Sequence, residues 1–281
     1  MDFRSLFVLR LIARLPLRGF HTVGGLLGWA VYALAPRYRR RLRENLQGSG
    51  RVTSAMVRRA AAEAGKTVAE LVPLWFREPG AVNGLVRDCD GWQEVEQALA
   101  RRQGILFLTP HLGCFEISAR YGAQRMPMTV LYRPPRKAWL EPWMAAGRRG
   151  MGLAPANVGG VRRLLRALKR GEAVGLLPDQ VPSAGDGAWA PFFGRPAYTM
   201  TLAERLRQAT GCAVILAFAE RLPQGRGYRL HLVRHDATLE PETLNRALEA
   251  LIRRRPEQYL WGYHRYKAPR GERAALPRGN H

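Results

Sequence analysis

The sequence predicts an α/β protein: a central, mostly parallel sheet covered by helices, preceded by a membrane-associated N-terminal helical segment. Three observations predict it. Short, fully apolar runs bounded by Gly or Pro read as strands buried on both faces. Segments with helical spacing alternate with those runs. The chain has 281 residues, 47% of them hydrophobic, enough for one large domain or two small ones and too apolar for global disorder. No internal repeat or long linker divides it, so one main domain is the simplest organisation.

Residues Phe3 to Pro36 are the most apolar part of the chain. Arg4, Arg10, Arg14 and Arg18 punctuate Leu and Ile, the pattern of a basic amphipathic helix at an anionic membrane surface. Gly19 to Pro36 follows, 18 residues without Asp, Glu, Lys or Arg. A spanning helix needs roughly 20 apolar residues, and this stretch holds four Gly, His21 and Thr22. Arg37, Arg39, Arg40, Arg41 and Arg43 come next, so basic residues flank both sides and no orientation follows. Residues 1–36 therefore read as membrane-associated, inserted or lying flat, against the plainer reading of a buried core helix with a charged exit.

Thr53 to Trp75 reads as one helix, with Val57, Ala60, Ala61, Ala64, Val68, Leu71, Val72 and Trp75 at spacings of three and four. Asp90 starts another, with Gln93 as its capping-box partner, ending near Gly104. Ile105–Thr109 is a buried strand and Gly113–Tyr121 a helix. Thr129–Tyr132 is a strand, followed by a helix between Lys137 and Arg149. Val161–Arg170 is a basic helix closed by Gly171, and Ala173–Leu177 a third buried strand. Thr201–Thr210 is a helix closed by Gly211, and Ala213–Ala219 a fourth strand. Across the turn PQGRG, Tyr228–Arg234 is its hairpin partner. Pro241–Arg255 is the last helix, with Arg253 to Arg255 at its negative end. From Ala268 onward the chain is rich in Pro, Gly and Arg and reads as a flexible tail, residues 268–281.

Basic residues number 45 and acidic ones 22, a net charge of +23, and only four of the 45 are Lys. Such a field favours polyanions: nucleic acid, anionic membrane, phosphorylated lipid or an acidic protein. The Arg residues are spread along the chain and no nucleic-acid motif appears, so a nucleic-acid partner is not expected. Cys89, Cys114 and Cys212 form no C-x-x-C pair, so neither a disulfide framework nor a zinc knuckle is written here. No cleavable signal peptide pattern opens the chain.

The chemistry lies in ILFLTPHLGCFEISAR. A buried strand runs through Thr109 and Pro110 into His111, and a helix starts near Cys114. His111 and Glu116 form H-x-x-x-x-E. On one continuous helix, residues five apart sit roughly 140° apart, so the two meet only if His111 lies in the turn and Glu116 in the first helical turn. Such a strand-to-helix turn is where α/β sheets place ligands. A His beside a carboxylate is a general base with an orienter. No Ser sits in a G-x-S-x-G elbow, so the hydroxyl to be activated comes from a substrate. Cys114 offers a thiol alternative, but no other His is placed to serve it, and a buried apolar Cys is the simpler reading.

More blocks surround this one: RENL at Arg43–Leu46, LYRPP at Leu131–Pro135, Arg148-Arg149-Gly150, PDQ at Pro178–Gln180, APFFG at Ala190–Gly194 and YLWGYHRYK at Tyr259–Lys267. In this order they resemble the late acyltransferases of lipid A biosynthesis, the lauroyl/myristoyl type, within the glycerolipid-acyltransferase group marked by H-x-x-x-x-D/E. The resemblance implies a glycerolipid acyltransferase-like fold over residues 37–267. It implies transfer of a fatty acyl chain from acyl–acyl carrier protein to a hydroxyl of a Kdo-bearing lipid IVA precursor, at the cytoplasmic face of the bacterial inner membrane, with no metal or other cofactor. His111 would be the base and Glu116 its orienter. Arg148 and Asp179 would be the other functional polar residues, binding substrate or stabilising an oxyanion, with Arg133 as a further phosphate or carbonyl contact. An Asp179–Arg148 ion pair that anchors the Arg is the alternative. Rival readings are the same fold acting on lysophosphatidic acid or another glycolipid or amino-lipid, and a non-enzymatic membrane or nucleic-acid binder driven by its charge.

Overall fold

The computed structural model describes residues 3–272, except residues 51 and 136; of residues 3–6 and 138 only the backbone is described. Most of the expected tail, residues 273–281, lies outside the described residues. The N-terminal helices are α1 (Phe3–Ala13), α2 (Leu17–Leu34), α3 (Pro36–Gln47), α4 (Ser54–Ala69), α5 (Leu71–Phe76) and α6 (Pro79–Asn83). The alternating part follows: β1 (Val86–Asp90), α7 (Trp92–Ala100), β2 (Ile105–Leu108), α8 (Phe115–Ala123), β3 (Met128–Tyr132), α9 (Glu141–Gly147), β4 (Gly152–Pro155), α10 (Val158–Lys169) and β5 (Ala173–Leu176). After it come β6 (Gly187–Phe192), β7 (Arg195–Met200), α11 (Leu202–Thr210), β8 (Ala213–Arg221), β9 (Tyr228–Arg234) and α12 (Pro241–Arg254).

Seven strands form one sheet in the order β1-β9-β8-β2-β5-β3-β4, and β6 with β7 forms a separate hairpin. Only β8 and β9 pair antiparallel in the large sheet; the other neighbours are parallel. The mostly parallel sheet is thus as expected. The central strands β2 and β5 are buried at every position, because helices cover both faces. Their register sets Leu108 opposite Leu176, and this fixes the geometry of everything that follows them.

Several boundaries differ from the sequence expectation. The helix expected over Thr53–Trp75 is two helices. Thr53 caps the first, its hydroxyl accepting from the Met56 N–H at 3.2 Å. Pro73 lacks the N–H that would bond the Ala69 carbonyl, so the helix restarts at Leu71. Asp90 does not open a helix: it ends β1, paired in register with His231, and α7 starts two residues later. Besides β1, two pieces carried no strand signal. β4 (GLAP) is short, and β6 and β7 hold Pro191 opposite Pro196.

The glycines of the charge-free N-terminal stretch are a contact surface. A Cβ on Gly28 would lie 2.2 Å from the Ala61 carbonyl oxygen, and one on Gly65 would lie 2.0 Å from that of Gly24. Close approach of α2 and α4 requires the missing side chains. The other side of the N-terminal helices is open: Phe7, Leu11, Leu15, Val23, Leu26, Leu27, Val31 and Leu34 are all exposed. No helix among the described residues is long and apolar enough to cross a membrane.

Candidate active site

β2 and β5 are adjacent, parallel and in register, and each runs through a residue and a proline into a polar side chain: Leu108-Thr109-Pro110-His111 and Leu176-Leu177-Pro178-Asp179. Equal offsets from an in-register pair bring the two side chains together. Asp179 Oδ1 lies 2.8 Å from His111 Nδ1, and Oδ2 accepts from the His111 backbone N–H at 2.9 Å. The Asp179 side chain is 2% exposed and that of His111 15%. Burial pushes the Asp179 carboxyl up, but His111 and the Tyr259 hydroxyl more than offset this, so its pKa falls below the usual carboxylate value. An ionised Asp179 can only accept, so Nδ1 carries the proton. Nε2 is then the lone-pair nitrogen, and the Gln180 amide nitrogen sits 3.0 Å from it as its donor. This tautomer suits a general base.

The turn itself is held by backbone bonds. Leu260 N–H donates to the His111 carbonyl at 3.1 Å, Gly113 N–H to that of Gln258 at 3.0 Å, and Cys114 N–H to that of Ala219 at 2.9 Å. Gly113 has φ +59°, and a Cβ there would stand 2.0 Å from the Ala219 oxygen, so only glycine fits. Cys114 is buried, which pushes its thiol well above the ordinary value, with Glu70 adding to the rise. It is a packing residue and not a thiolate.

One expected pairing is corrected. Glu116 is not the partner of His111: among the described hydrogen bonds none joins them. Glu116 is the second residue of α8, on the side facing α5 and α9. There it accepts from Arg148 Nε at 3.0 Å, from Arg148 Nη2 at 2.8 Å and from Trp75 Nε1 at 3.0 Å. Burial raises its carboxyl, but Arg148, Trp75 and Arg120 lower it further, leaving it below the usual range. The Asp179–Arg148 ion pair weighed as an alternative is likewise not formed; the two carboxylates have exchanged partners. A strand-end histidine and a first-turn carboxylate diverge because the turn through Gly113 separates their directions.

His111 borders two cavities. One, of about 670 Å³, is also lined by Phe115 and by Arg133, Arg148, Arg162 and Arg205, with Asp186 the acid in its wall. The other, of about 560 Å³, is apolar and runs past Leu260 and Tyr263 to Leu27 and Val31 on the exposed side of α2. The structure therefore places His111, Asp179, Arg148 and Arg133 around one strand-end crevice, with Glu116 behind Arg148. Trp75, Gln180, Arg162 and Arg205 were not singled out by sequence reasoning. The shared strand-x-Pro spacing before His111 and Asp179 was the signal that would have paired those two. Among the described residues no cluster of three His, Cys, Asp or Glu side chains is arranged to hold a metal ion.

A family described as bacterial lipid A biosynthesis acyltransferase matches residues 1–268. The chain is 28% identical over 216 residues to a lipid A biosynthesis palmitoleoyltransferase of Escherichia coli (strain K12), covering 74% of this chain and 70% of that one. It is 28% identical over 188 residues to the lipid A biosynthesis lauroyltransferase of the same organism, covering 63% and 60%. A lipid A biosynthesis acyltransferase of Haemophilus influenzae is 26% identical over 180 residues, covering 61% and 56%.

Proposed function

The chain belongs to the bacterial lipid A biosynthesis acyltransferase family, and on that premise we propose that it moves a fatty acyl chain from acyl–acyl carrier protein onto a hydroxyl of a phosphorylated lipid IVA-type acceptor at the cytoplasmic face of the bacterial inner membrane. Acyl transfer in lipid A biosynthesis follows from the family. The donor, the acceptor hydroxyl, the membrane and the residue roles are our reading. The observation that carries it is the His111–Asp179 couple, set where a basic cleft and an apolar cleft meet.

In this reading the acceptor hydroxyl displaces the Gln180 amide from Nε2 and gives its proton to that nitrogen. Its oxygen attacks the thioester carbonyl carbon. Asp179 holds the ring and stabilises the imidazolium that forms. Negative charge develops on the carbonyl oxygen, and Arg148 is the cation beside it. Glu116 uses Nε and Nη2 of Arg148, which leaves Nη1 for the oxyanion. Collapse of the tetrahedral intermediate breaks the C–S bond, and the departing sulfur takes the proton from Nε2. The products are the new ester and the carrier thiol. The apolar cleft suits the acyl chains of the acceptor, entering from the exposed α2 side, and the basic cleft suits the donor on its acidic carrier.

The test is acyl transfer by the purified full chain, with acyl–acyl carrier protein and lipid IVA-type acceptor, against His111→Ala. The expected result is an acceptor heavier by one acyl group, formed by the wild type and lost in the variant. Equal turnover by His111→Ala would remove the mechanism. Transfer to lysophosphatidic acid in place of the glycolipid would move the activity to the rival acceptor.

A further inference from the structure

A third cavity, of about 180 Å³, lies apart from the catalytic residues and is lined by Arg37, Arg40, Arg41, Glu44, Asn45, Arg195, His264 and Tyr266. It is strongly cationic. Arg37 and Arg41 have no hydrogen-bond or ion-pair partner among the described residues. Glu44, the one acid in the wall, sits 3.6 Å from Arg40, both of them exposed. Arg195 stacks on Tyr266 with its guanidinium 3.7 Å from the ring centre, and one of its N–H groups reaches Asn45 at 3.3 Å. Its other N–H groups have no partner among the described residues.

The pocket is prebuilt. Asn45 is 5% exposed, and its amide donates to the carbonyls of Trp261 at 2.8 Å and Tyr263 at 3.0 Å. That ties α3 to the segment carrying His264 and Tyr266. Burial pushes the His264 imidazole below its usual range, and Arg41, Lys267 and Arg195 push it further, as expected where several cations converge. Location supplies the second argument. Tyr38 and Tyr263 line the apolar cleft at His111, and their chain neighbours Arg37 and His264 line this pocket. One wall therefore separates an apolar groove that reaches the catalytic histidine from a cationic hole. That layout matches an amphiphile with acyl chains and a phosphate.

We propose that this pocket is a phosphate site, in which Arg37, Arg41 and Arg195 bind the phosphate group of a lipid whose chains lie in the apolar cleft. A forked guanidinium binds phosphate oxygens in pairs, which suits three Arg on one small cavity. The inference rests on the reading of a phosphorylated lipid acceptor and deepens it by naming where the phosphate goes.

The test is equilibrium binding without donor, so that no turnover is needed. The full chain in neutral detergent is titrated with lipid IVA-type acceptor and with the same lipid after phosphatase treatment. The wild type is expected to prefer the phosphorylated form by about tenfold or more, as for charge-assisted bonds to phosphate. The Arg37→Gln/Arg41→Gln double variant is expected to lose that preference and bind both forms alike. Glu44→Gln is expected to tighten binding of the phosphorylated form alone, a gain that a damaged fold cannot produce. A second arm compares flotation of the same variants on phosphatidylcholine vesicles with and without phosphatidylglycerol. If the double variant loses only the phosphatidylglycerol-dependent part, the phosphate comes from bulk lipid and not from the acceptor. A double variant that keeps both the acceptor preference and the phosphatidylglycerol response overturns the proposal. Failure of the acyl-transfer reading would instead appear as absent turnover by the wild type in the preceding assay.

Discussion

Asp179 and Glu116 are both buried carboxylates, yet they bind different partners and should fail differently. Asp179→Asn keeps the shape but supplies an amide that can turn its N–H₂ toward Nδ1 and favour the wrong tautomer. We expect kcat to fall by about 10²–10⁴-fold with little change in unfolding midpoint. Glu116→Gln leaves the Arg148 guanidinium, 17% exposed, without its counter-ion. Its cost should appear in stability, about 3–5 kcal/mol for a broken buried pair, read by urea unfolding. If Glu116→Gln instead lost turnover at full stability and Asp179→Asn kept it, Glu116 would regain the role of orienter. At this scale the place of His111, just after a buried strand, was legible in the sequence. Its partner was not, because 68 residues separate it from Asp179 and three strands begin in between, so sequence proximity favoured Glu116.

At the scale of elements, most helices and central strands were readable because burial on both faces or on one stripe leaves an apolar pattern. What escaped was short or used for something other than packing. β4, β6 and β7 are rich in Gly and Pro, and α3 is so basic that it reads as a charged exit. The N-terminal helices are joined to the sheet by a buried ionic clamp. Arg221 of β8 donates to Glu70 at 2.9 and 2.7 Å, to Glu63, to Thr67 at 3.1 Å and to the Gly113 carbonyl at 3.2 Å. His21 of α2 lies 3.3 Å from Glu70. Burial raises the Glu70 carboxyl, but Arg221 and His21 outweigh it and hold it at about 2, against 4.5 when unperturbed. A folded-state pKa below the unfolded one gives stability that is complete above about 4.5 and disappears as pH falls toward about 2. The stability gap between wild type and Glu70→Gln, from unfolding midpoints, should therefore be constant above that window and shrink within it. A gap that stayed constant through the acid range would mean that Glu70 is not ionised in the fold.

For the whole molecule, charge and apolar exposure are spatially sorted. The exposed side chains of α1 and α2 are mostly apolar, with Arg10 and Arg18 among them, while α3 and the large cleft carry arginines. The membrane association we propose predicts that Leu11→Gln/Leu26→Gln/Leu34→Gln reduces vesicle flotation sharply, since burying each Leu contributes about 1.5–3 kcal/mol. These three do not line the clefts, so turnover in detergent should persist; unchanged flotation would assign the surface to another partner. With the proposed acyl–acyl carrier protein donor, the net charge of +23 predicts that KM for it rises several-fold between about 0.05 and about 0.5 M salt, as the screening length shortens. A flat response would argue against steering by charge.

The sequence alone determined the fold class, the strand-to-helix turn holding His111, the excess of positive charge and the apolar N-terminal stretch, because each is written in neighbouring residues or in composition. Only the tertiary structure decided that β5 lies beside β2, that Asp179 and not Glu116 meets His111, and that α3 and the C-terminal segment close a cationic pocket. Those pairings depend on strand order and helix packing, which bring together residues that no local pattern connects.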